Sequence, residues 1–228
     1  MTAPEARLVV FDLDGTLVDS ARDLSTAVNR ALQRVAPGAP ALSDDVVRAF
    51  IGSGARVLMA RSLARVGLPL PVDDVLPVFL EAYAGCLLDT TRLYPGVADA
   101  LERLRDRRLA VLTNKPGDMS RTILGGLGIA DRFFRVYGGD DLATRKPDPA
   151  GLLQLAAEAG VDPSAALMVG DSAVDVRTGR AAGAATAGVT YGFDAESFRE
   201  DPPDLLVDSL RELPDRLAGA PLRSANTA

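Results

Sequence analysis

The segment LVVFDLDGTLVDS, residues 8–20, ends an apolar run on two aspartates, Asp12 and Asp14, with one leucine between them. In an extended chain, residues i and i+2 point to the same side, so both carboxylates can reach one bound group. One carboxylate can attack that group while the other handles the proton of the leaving group. Gly15 permits a sharp turn after them, and exposed N–H groups in such a turn can hold phosphoryl oxygens.

Polar residues follow several other apolar runs of the chain. Thr113, Asn114 and Lys115 come after LAVL, Lys146 lies in the loop after FRVYG, and Asp171 and Asp175 come after ALMVG. In open α/β sheets, ligands bind beyond the carboxyl ends of the strands. We therefore expect these side chains to share one crevice with Asp12 and Asp14.

The residue types in this crevice predict phosphoryl transfer. The carboxylates of Asp12, Asp14 and Asp171 would repel one another, and a hard cation would offset that repulsion. Mg²⁺ prefers oxygen ligands and typically combines one or two protein carboxylates with a substrate phosphate. Thr113 and Lys146 would donate hydrogen bonds to the same anion. A carboxylate can then act as the nucleophile, provided that the metal and Lys146 offset the negative charge.

The composition excludes several other mechanisms and partners. The chain of 228 residues has no histidine, which removes Ser-His-Asp and Cys-His catalysis and His-ligated zinc. Its one cysteine, Cys86, cannot form an intrachain disulfide and lacks a histidine to activate it. The net charge of −6 argues against a nucleic-acid partner, and no apolar run is long enough for a membrane span. Because no secretory signal is visible, we expect a cytoplasmic protein.

Lysine is nearly absent from the chain. The 25 basic residues include only two lysines, Lys115 and Lys146, and each directly precedes a proline. Codon preference explains Lys115 as readily as function does, whereas the neighbours of Lys146 favour a functional role.

Six short runs are apolar at odd and even positions alike, as expected for strands that are covered on both faces. They are RLVVF (7–11), LAVLT (109–113), FRVYG (134–138), ALMVG (166–170), ATAGVT (185–190) and DLLVD (204–208). Helical patterns lie between them, for example at residues 97–107 and 148–160. The alternation predicts βαβ units and an α/β fold with a doubly wound parallel sheet, that is, a Rossmann-like core.

Residues 20–90 break this alternation because they contain no convincing strand. Amphipathic patterns predict helices at residues 20–36, 55–67 and 73–90, with Ser20 as a possible N-cap of the first. We therefore predict a catalytic core formed by residues 1–19 and 91–218 and a helical cap domain formed by residues 20–90. Residues 219–228 are predicted to be a loose C-terminal tail.

Four motifs carry a resemblance to a known family. FDLDGTLVDS, TNK, KPDP and GDSAVD stand in this order at predicted strand ends, and they are similar to the four motifs of the haloacid dehalogenase superfamily. The resemblance extends from residue 8 to about residue 192. It implies Asp12 as the nucleophile, Asp14 as the general acid/base, and Thr113 and Lys146 as ligands of the phosphoryl group.

The same resemblance implies a metal site and a moving cap. Mg²⁺ would be bound by Asp12, the backbone carbonyl of Asp14, and Asp171, with Asp175 as a further ligand or as support. Lys146 would also restrain Asp12. The helical insert resembles the small helical cap of this superfamily, which closes over the site.

Within the superfamily, the sequence favours phosphatases and sugar-phosphate mutases. True haloacid dehalogenases lack an acid at the position of Asp14, P-type ATPases need membrane spans, and phosphonoacetaldehyde hydrolases use a cap lysine that residues 19–90 lack. Segments such as IGSGARVL (51–58), YGGDD and GVTYGF (188–193) look like those of bacterial phosphoglycolate phosphatases. The expected partner is therefore a small-molecule phosphate ester, with 2-phosphoglycolate first, and the chain acts as a monomer or a homodimer. The alternative is a β-phosphoglucomutase-like enzyme, which returns the phosphoryl group to a bound sugar.

Residues that recognise the rest of the substrate are less well defined by motif. Gly15 and Asn114 join Thr113 and Lys146 in the predicted binding set. A substrate carboxylate would need a further cation, for which Arg56 and Lys115 are the candidates. Arg56 could equally belong to a solvated helix face, because arginine is common in this segment.

Overall fold

The computed structural model describes residues 6–219, and its centre is a six-stranded parallel sheet. The strands of the chain are β1 (Leu8–Phe11), β2 (Val18–Asp19), β3 (Arg92–Leu93), β4 (Arg108–Leu112), β5 (Arg135–Tyr137), β6 (Ala166–Gly170), β7 (Ala185–Val189) and β8 (Leu205–Val207). The sheet has the order β5-β4-β1-β6-β7-β8, and β2 and β3 form a separate pair. All six predicted strands are present, and the predicted α/β fold with a doubly wound parallel sheet is confirmed.

The described residues include nine α-helices. They are α1 (Ala21–Val35), α2 (Asp44–Arg48), α3 (Ala55–Arg65), α4 (Val72–Ala84), α5 (Val97–Arg103), α6 (Gly117–Gly126), α7 (Ala150–Ala159), α8 (Ala173–Ala181) and α9 (Leu213–Gly219). The helix predicted at 73–90 is too long, because α4 ends at Ala84 and a turn follows. In this part of the chain, none of the helices combines the length and the apolar character that a membrane crossing needs.

The sheet is apolar on both faces because each face packs against helices. In β1, Leu8 and Val10 belong to one apolar cluster, which includes Leu152 of α7. The alternate residues Val9 and Phe11 belong to a second cluster on the other face. This explains why the strand sequences show apolar residues at both parities rather than strict alternation.

Helices α1 to α4 form an insert between β2 and β3. These two short strands pair antiparallel, with Val18 opposite Leu93 and Asp19 opposite Arg92, so the chain leaves and re-enters the core side by side. Within the insert, α1 packs against α4, and α4 also packs against α3. The predicted tail at 219–228 lies outside the described residues, apart from Gly219, which ends α9.

Candidate active site

The carboxyl ends of β4, β1 and β6 meet at one edge of the sheet because these three strands are neighbours. Thr113 follows β4, Asp12 follows β1 and Asp171 follows β6, and all three side chains are buried. Lys146 arrives from the loop after β5 and is also buried. The topology therefore brings together side chains that are far apart in the sequence, as expected for this class of sheet.

Asp12 is held through one of its two carboxylate oxygens. Its Oδ1 accepts a hydrogen bond from the N–H of Leu13 at 2.7 Å and lies 2.8 Å from Nζ of Lys146. Among residues 6–219, no side chain or backbone donor engages Oδ2. Burial raises the pKa of Asp12 to about 6, although Lys146 acts in the opposite direction. The result is an oriented, desolvated carboxylate with one oxygen free to react.

Lys146 links the nucleophile candidate to a second buried carboxylate. Its Nζ lies 2.7 Å from Oδ1 of Asp175 and 2.8 Å from Oδ1 of Asp12. Burial acts to lower the pKa of Lys146, but the two carboxylates outweigh it and raise that pKa. The ammonium therefore stays charged and fixes the distance between the two acids.

Three buried acids form a cluster that could hold a metal ion. Asp12, Asp171 and Asp175 each place one carboxylate oxygen within 4.8 Å of the others. Burial and the nearby charges of Asp175 and Asp12 raise the pKa of Asp171. Oδ2 of Asp171 accepts the N–H of Phe193 at 2.6 Å, whereas both oxygens of Asp175 accept hydrogen bonds within the protein. Asp171 thus keeps one uncommitted oxygen, which a cation would need.

Two glycines allow the chain to pass close to this cluster. Gly15 has a φ of +83°, and a Cβ there would lie 2.2 Å from Oδ2 of Asp171. At Gly192, a Cβ would lie 2.1 Å from the Cβ of Asp171. Both positions therefore require glycine, because a side chain would displace Asp171.

Asp14 has its own set of partners. The hydroxyl of Ser20 donates to its Oδ1 at 2.5 Å, and Nζ of Lys115 lies 3.1 Å from both of its oxygens. Lys115 also donates to the hydroxyl of Tyr83 and lies 4.4 Å from the centre of the Tyr83 ring. Burial lowers the pKa of Lys115, although Asp14 acts to raise it.

Ser20 and Tyr83 are site residues that the sequence did not reveal. Ser20 precedes α1, but its hydroxyl makes no N-cap hydrogen bond and is committed to Asp14 instead. A hint was available, since Ser20 closes the same motif that contains Asp14. Tyr83 lies on α4 and meets Lys115 only through the tertiary fold, so no local pattern pointed to it.

Asn114 connects the insert to the core. Its Nδ2 donates to the carbonyl of Gly52 at 3.0 Å and to that of Lys146 at 3.1 Å. Its Oδ1 is buried without a hydrogen-bond partner in the described residues. The preceding Thr113 accepts the N–H of Lys115 at 3.3 Å through its hydroxyl oxygen.

Arg56 does not reach the site. It lies near the start of α3, its side chain is largely exposed, and it forms an ion pair with Asp73. Of the two cations considered for a substrate carboxylate, only Lys115 borders the cavity beside Asp12.

A small cavity lies between the sheet and the insert. The space open to the centres of water molecules is about 30 Å³. The core contributes Asp12, Asp14, Thr113, Asn114, Lys115 and Pro116, and the insert contributes Leu24, Ile51, Gly52, Gly54, Ala55, Leu58, Phe79, Leu80 and Tyr83. The side of the cavity formed by the core is therefore polar and charged, and the side formed by the insert is apolar except for the hydroxyl of Tyr83.

Comparison with known proteins agrees with this site. Residues 6–183 match the family of haloacid dehalogenase-like hydrolases. The match covers more than half of the chain and includes every strand-end residue described above. The chain belongs to this family of hydrolases.

Curated relatives and a solved structure show which proteins the chain is similar to. The chain is 43% identical over 215 residues to a phosphoglycolate phosphatase of Pseudomonas putida, covering 91% of this chain and 78% of the relative. It is 37% identical over 227 residues to the phosphoglycolate phosphatase of Vibrio vulnificus, covering 94% and 97% of the two chains. A crystal structure from Haemophilus somnus 129pt, described as a predicted phosphoglycolate phosphatase, superposes with a TM-score of 0.87 at 34% identity, covering 93% and 98%.

Proposed function

We propose that this hydrolase cleaves 2-phosphoglycolate to glycolate and phosphate in a Mg²⁺-dependent reaction, through a phosphoryl group carried on Asp12. The observation that carries the proposal is the free Oδ2 of Asp12, on a carboxylate fixed by Leu13 and Lys146 at the edge of a small cavity. The substrate is taken from the curated relatives, which are named phosphoglycolate phosphatases. We place the reaction in the cytoplasm, on the sequence argument given above.

In the first step, Oδ2 of Asp12 attacks phosphorus and the bond to the glycolate oxygen breaks. Lys146 offsets negative charge beside the nucleophile, since its Nζ already lies 2.8 Å from Asp12. Thr113 is the proposed donor to the phosphoryl oxygens. The N–H groups of Gly15 and Thr16, which the sequence offered for this role, donate to the carbonyls of Val18 and Leu13 instead.

Asp14 manages the protons in both steps. It gives a proton to the departing glycolate oxygen and then takes one from the water that attacks the phosphoryl group on Asp12. The hydroxyl of Ser20 and the ammonium of Lys115 hold its carboxylate in place from two sides. Asp14 lines the same cavity as Asp12.

The acidic cluster fits a magnesium ion. Asp12 and Asp171 are the proposed carboxylate ligands, the backbone carbonyl of Asp14 joins them, and Asp175 supports the site by holding Lys146. Bound there, Mg²⁺ would neutralise the phosphoryl oxygens that otherwise repel a carboxylate nucleophile. The raised pKa values of Asp12 and Asp171 support this assignment, because a nearby cation would offset the cost of ionising both acids.

We propose that residues 20–90 form the cap and residues 91–218, with the N-terminal strand, the catalytic core. The apolar side of the cavity, which the insert forms, suits a short substrate better than a sugar, because the hydroxyl groups of a sugar would need polar partners. Lys115 is the proposed partner of the substrate carboxylate. Arg56, which the sequence offered as another candidate, is left out because it lies outside the cavity.

A substrate panel tests this proposal. Purified protein with Mg²⁺ would receive 2-phosphoglycolate, glucose 1-phosphate and several other phosphate esters, and free phosphate would be measured. We expect the highest kcat/KM with 2-phosphoglycolate and none with Asp12→Asn. Conversion of glucose 1-phosphate to glucose 6-phosphate, without phosphate release from any ester, would favour the mutase alternative and overturn the hydrolase.

A further inference from the structure

The cap contributes a single polar side chain to the cavity. Of the nine lining residues that come from residues 20–90, eight are glycine, alanine, leucine, isoleucine or phenylalanine, and the ninth is Tyr83. The core supplies one cation to the same lining, Lys115. A second anionic group on a bound ester therefore has one ammonium to pair with and one cap hydroxyl beside it.

Tyr83 is fixed in position by contacts with Phe79 and Lys115, and the hydroxyl of Ser20 lies within hydrogen-bonding reach of its own hydroxyl. Its ring stacks on Phe79 with centroids 5.8 Å apart, and the ammonium of Lys115 lies 4.4 Å from its ring centre. Its hydroxyl accepts a hydrogen bond from that same ammonium. The side chain is almost completely buried, so its hydroxyl cannot be satisfied by turning to solvent. A rigid aromatic residue with one polar end is well suited to orient a small ligand.

We propose that Tyr83 is a specificity-determining residue, which together with Lys115 binds the carboxylate of the substrate and so selects phosphate esters of short hydroxy acids. The proposal rests on the proposed function. As the phosphoryl group settles on Asp12, the carboxylate comes between Nζ of Lys115 and the hydroxyl of Tyr83 and joins Asp14 as a partner of Lys115. Because Tyr83 lies on α4, this pair of contacts forms only when the cap is in the position described here.

The test compares Tyr83→Phe with the unmodified protein on two esters. One is 2-phosphoglycolate, and the other is ethyl phosphate, which keeps the two-carbon ester and lacks the carboxylate. The matched control is Tyr94→Phe, since the Tyr94 hydroxyl is also buried but has no hydrogen-bond partner in the described residues and does not line the cavity. The inhibition constant of glycolate gives a second readout that does not depend on turnover.

We expect Tyr83→Phe to lower kcat/KM for 2-phosphoglycolate by about tenfold or more and to weaken glycolate binding similarly, as for a lost hydrogen bond to a charged group. Its kcat/KM for ethyl phosphate should stay within about twofold, which also shows that the variant is folded. An equal loss on both esters would mean that Tyr83 acts on Asp14 or on the fold, and no loss on either would remove it from the site. Both results overturn the inference. If the unmodified protein hydrolyses ethyl phosphate but not 2-phosphoglycolate, the proposed function fails as well, and that outcome is distinct from the other two.

Discussion

Asp23 should be the most sensitive single position for the stability of the cap junction. This buried carboxylate lies in the first turn of α1 and accepts hydrogen bonds from the N–H and hydroxyl groups of both Thr90 and Thr91, at 2.6–3.0 Å. Those threonines lie where the chain returns to the core, so Asp23 ties the outgoing segment to the returning one. Both of its oxygens accept hydrogen bonds, and all four of these neighbouring groups act as donors to it.

Asp23→Asn would place an amide NH₂ against one set of these donors. With the NH₂ at the Oδ1 position, the hydroxyl of Thr90 can turn to accept from it, and the remaining oxygen still accepts the N–H groups of Thr90 and Thr91. The N–H of Thr90 then lies against the new NH₂ group, and every remaining hydrogen bond loses its charged acceptor. We expect a loss of about 2–4 kcal/mol in the free energy of unfolding, from the contact between the two N–H donors and the lost charge on the remaining bonds. For a chain of this size, that corresponds to a fall of about 5–15 °C in melting temperature.

The pH dependence gives a second signature. The hydrogen bonds from Thr90 and Thr91 outweigh burial and lower the pKa of Asp23 below its ordinary value of 3.8. A depressed carboxyl pKa stabilises the fold above the unfolded-state pKa, and this contribution is lost as the pH falls through the folded-state pKa. The difference in the free energy of unfolding between the unmodified protein and Asp23→Asn should therefore be constant from about pH 7 to pH 5 and shrink below about pH 4.

Urea denaturation and thermal melting of both proteins would measure this difference, with Asp106→Asn as an exposed control. A change below about 0.5 kcal/mol at neutral pH, equal to that of the control, would refute the reasoning. So would a stability difference that grows as the pH falls.

Three further perturbations follow from the site geometry. Ser20→Ala removes the hydroxyl that holds Asp14, so kcat should fall about tenfold while KM stays within about twofold. The control Ser25→Ala removes a similar hydrogen bond to Asp44 and should leave kcat unchanged. Gly15→Ala forces a side chain against Asp171 at a positive φ, so steady-state assays should find no activity and melting should occur at a lower temperature. Mg²⁺ should raise the melting temperature of the unmodified protein, and a similar rise in Asp171→Asn would contradict the assigned ligand.

The sequence predicted the sheet and the strand-end residues well, because both depend on local signals. A parallel strand covered on two faces must be apolar at both parities, and β1, β4 and β6 each show this. Side chains at the carboxyl ends of such strands have only one edge of the sheet to occupy. The pattern of strands therefore suffices to place Asp12, Thr113 and Asp171 together.

The cap residues were less predictable because their roles depend on how helices rotate and pack. α3 buries Leu58 and Met59 in the apolar cluster that it shares with α1 and α4, and this leaves Arg56 on the exposed side. Ser20 could have capped α1, but its hydroxyl makes a stronger, charge-assisted hydrogen bond with the buried carboxylate of Asp14. Tyr83 meets Lys115 only across the closed interface between the insert and the core.

The central claim is that a phosphoryl group passes through Asp12, and trapping that intermediate tests it most directly. The protein would be mixed with Mg²⁺ and 2-phosphoglycolate, quenched in acid within its turnover time, and digested with trypsin. Cleavage after Arg7 and Arg22 isolates residues 8–22, which mass spectrometry can sequence. We predict that this peptide gains one phosphoryl group, located on Asp12. Phosphate release with the peptide unmodified at every quench time, or with the group on another residue, would contradict the account.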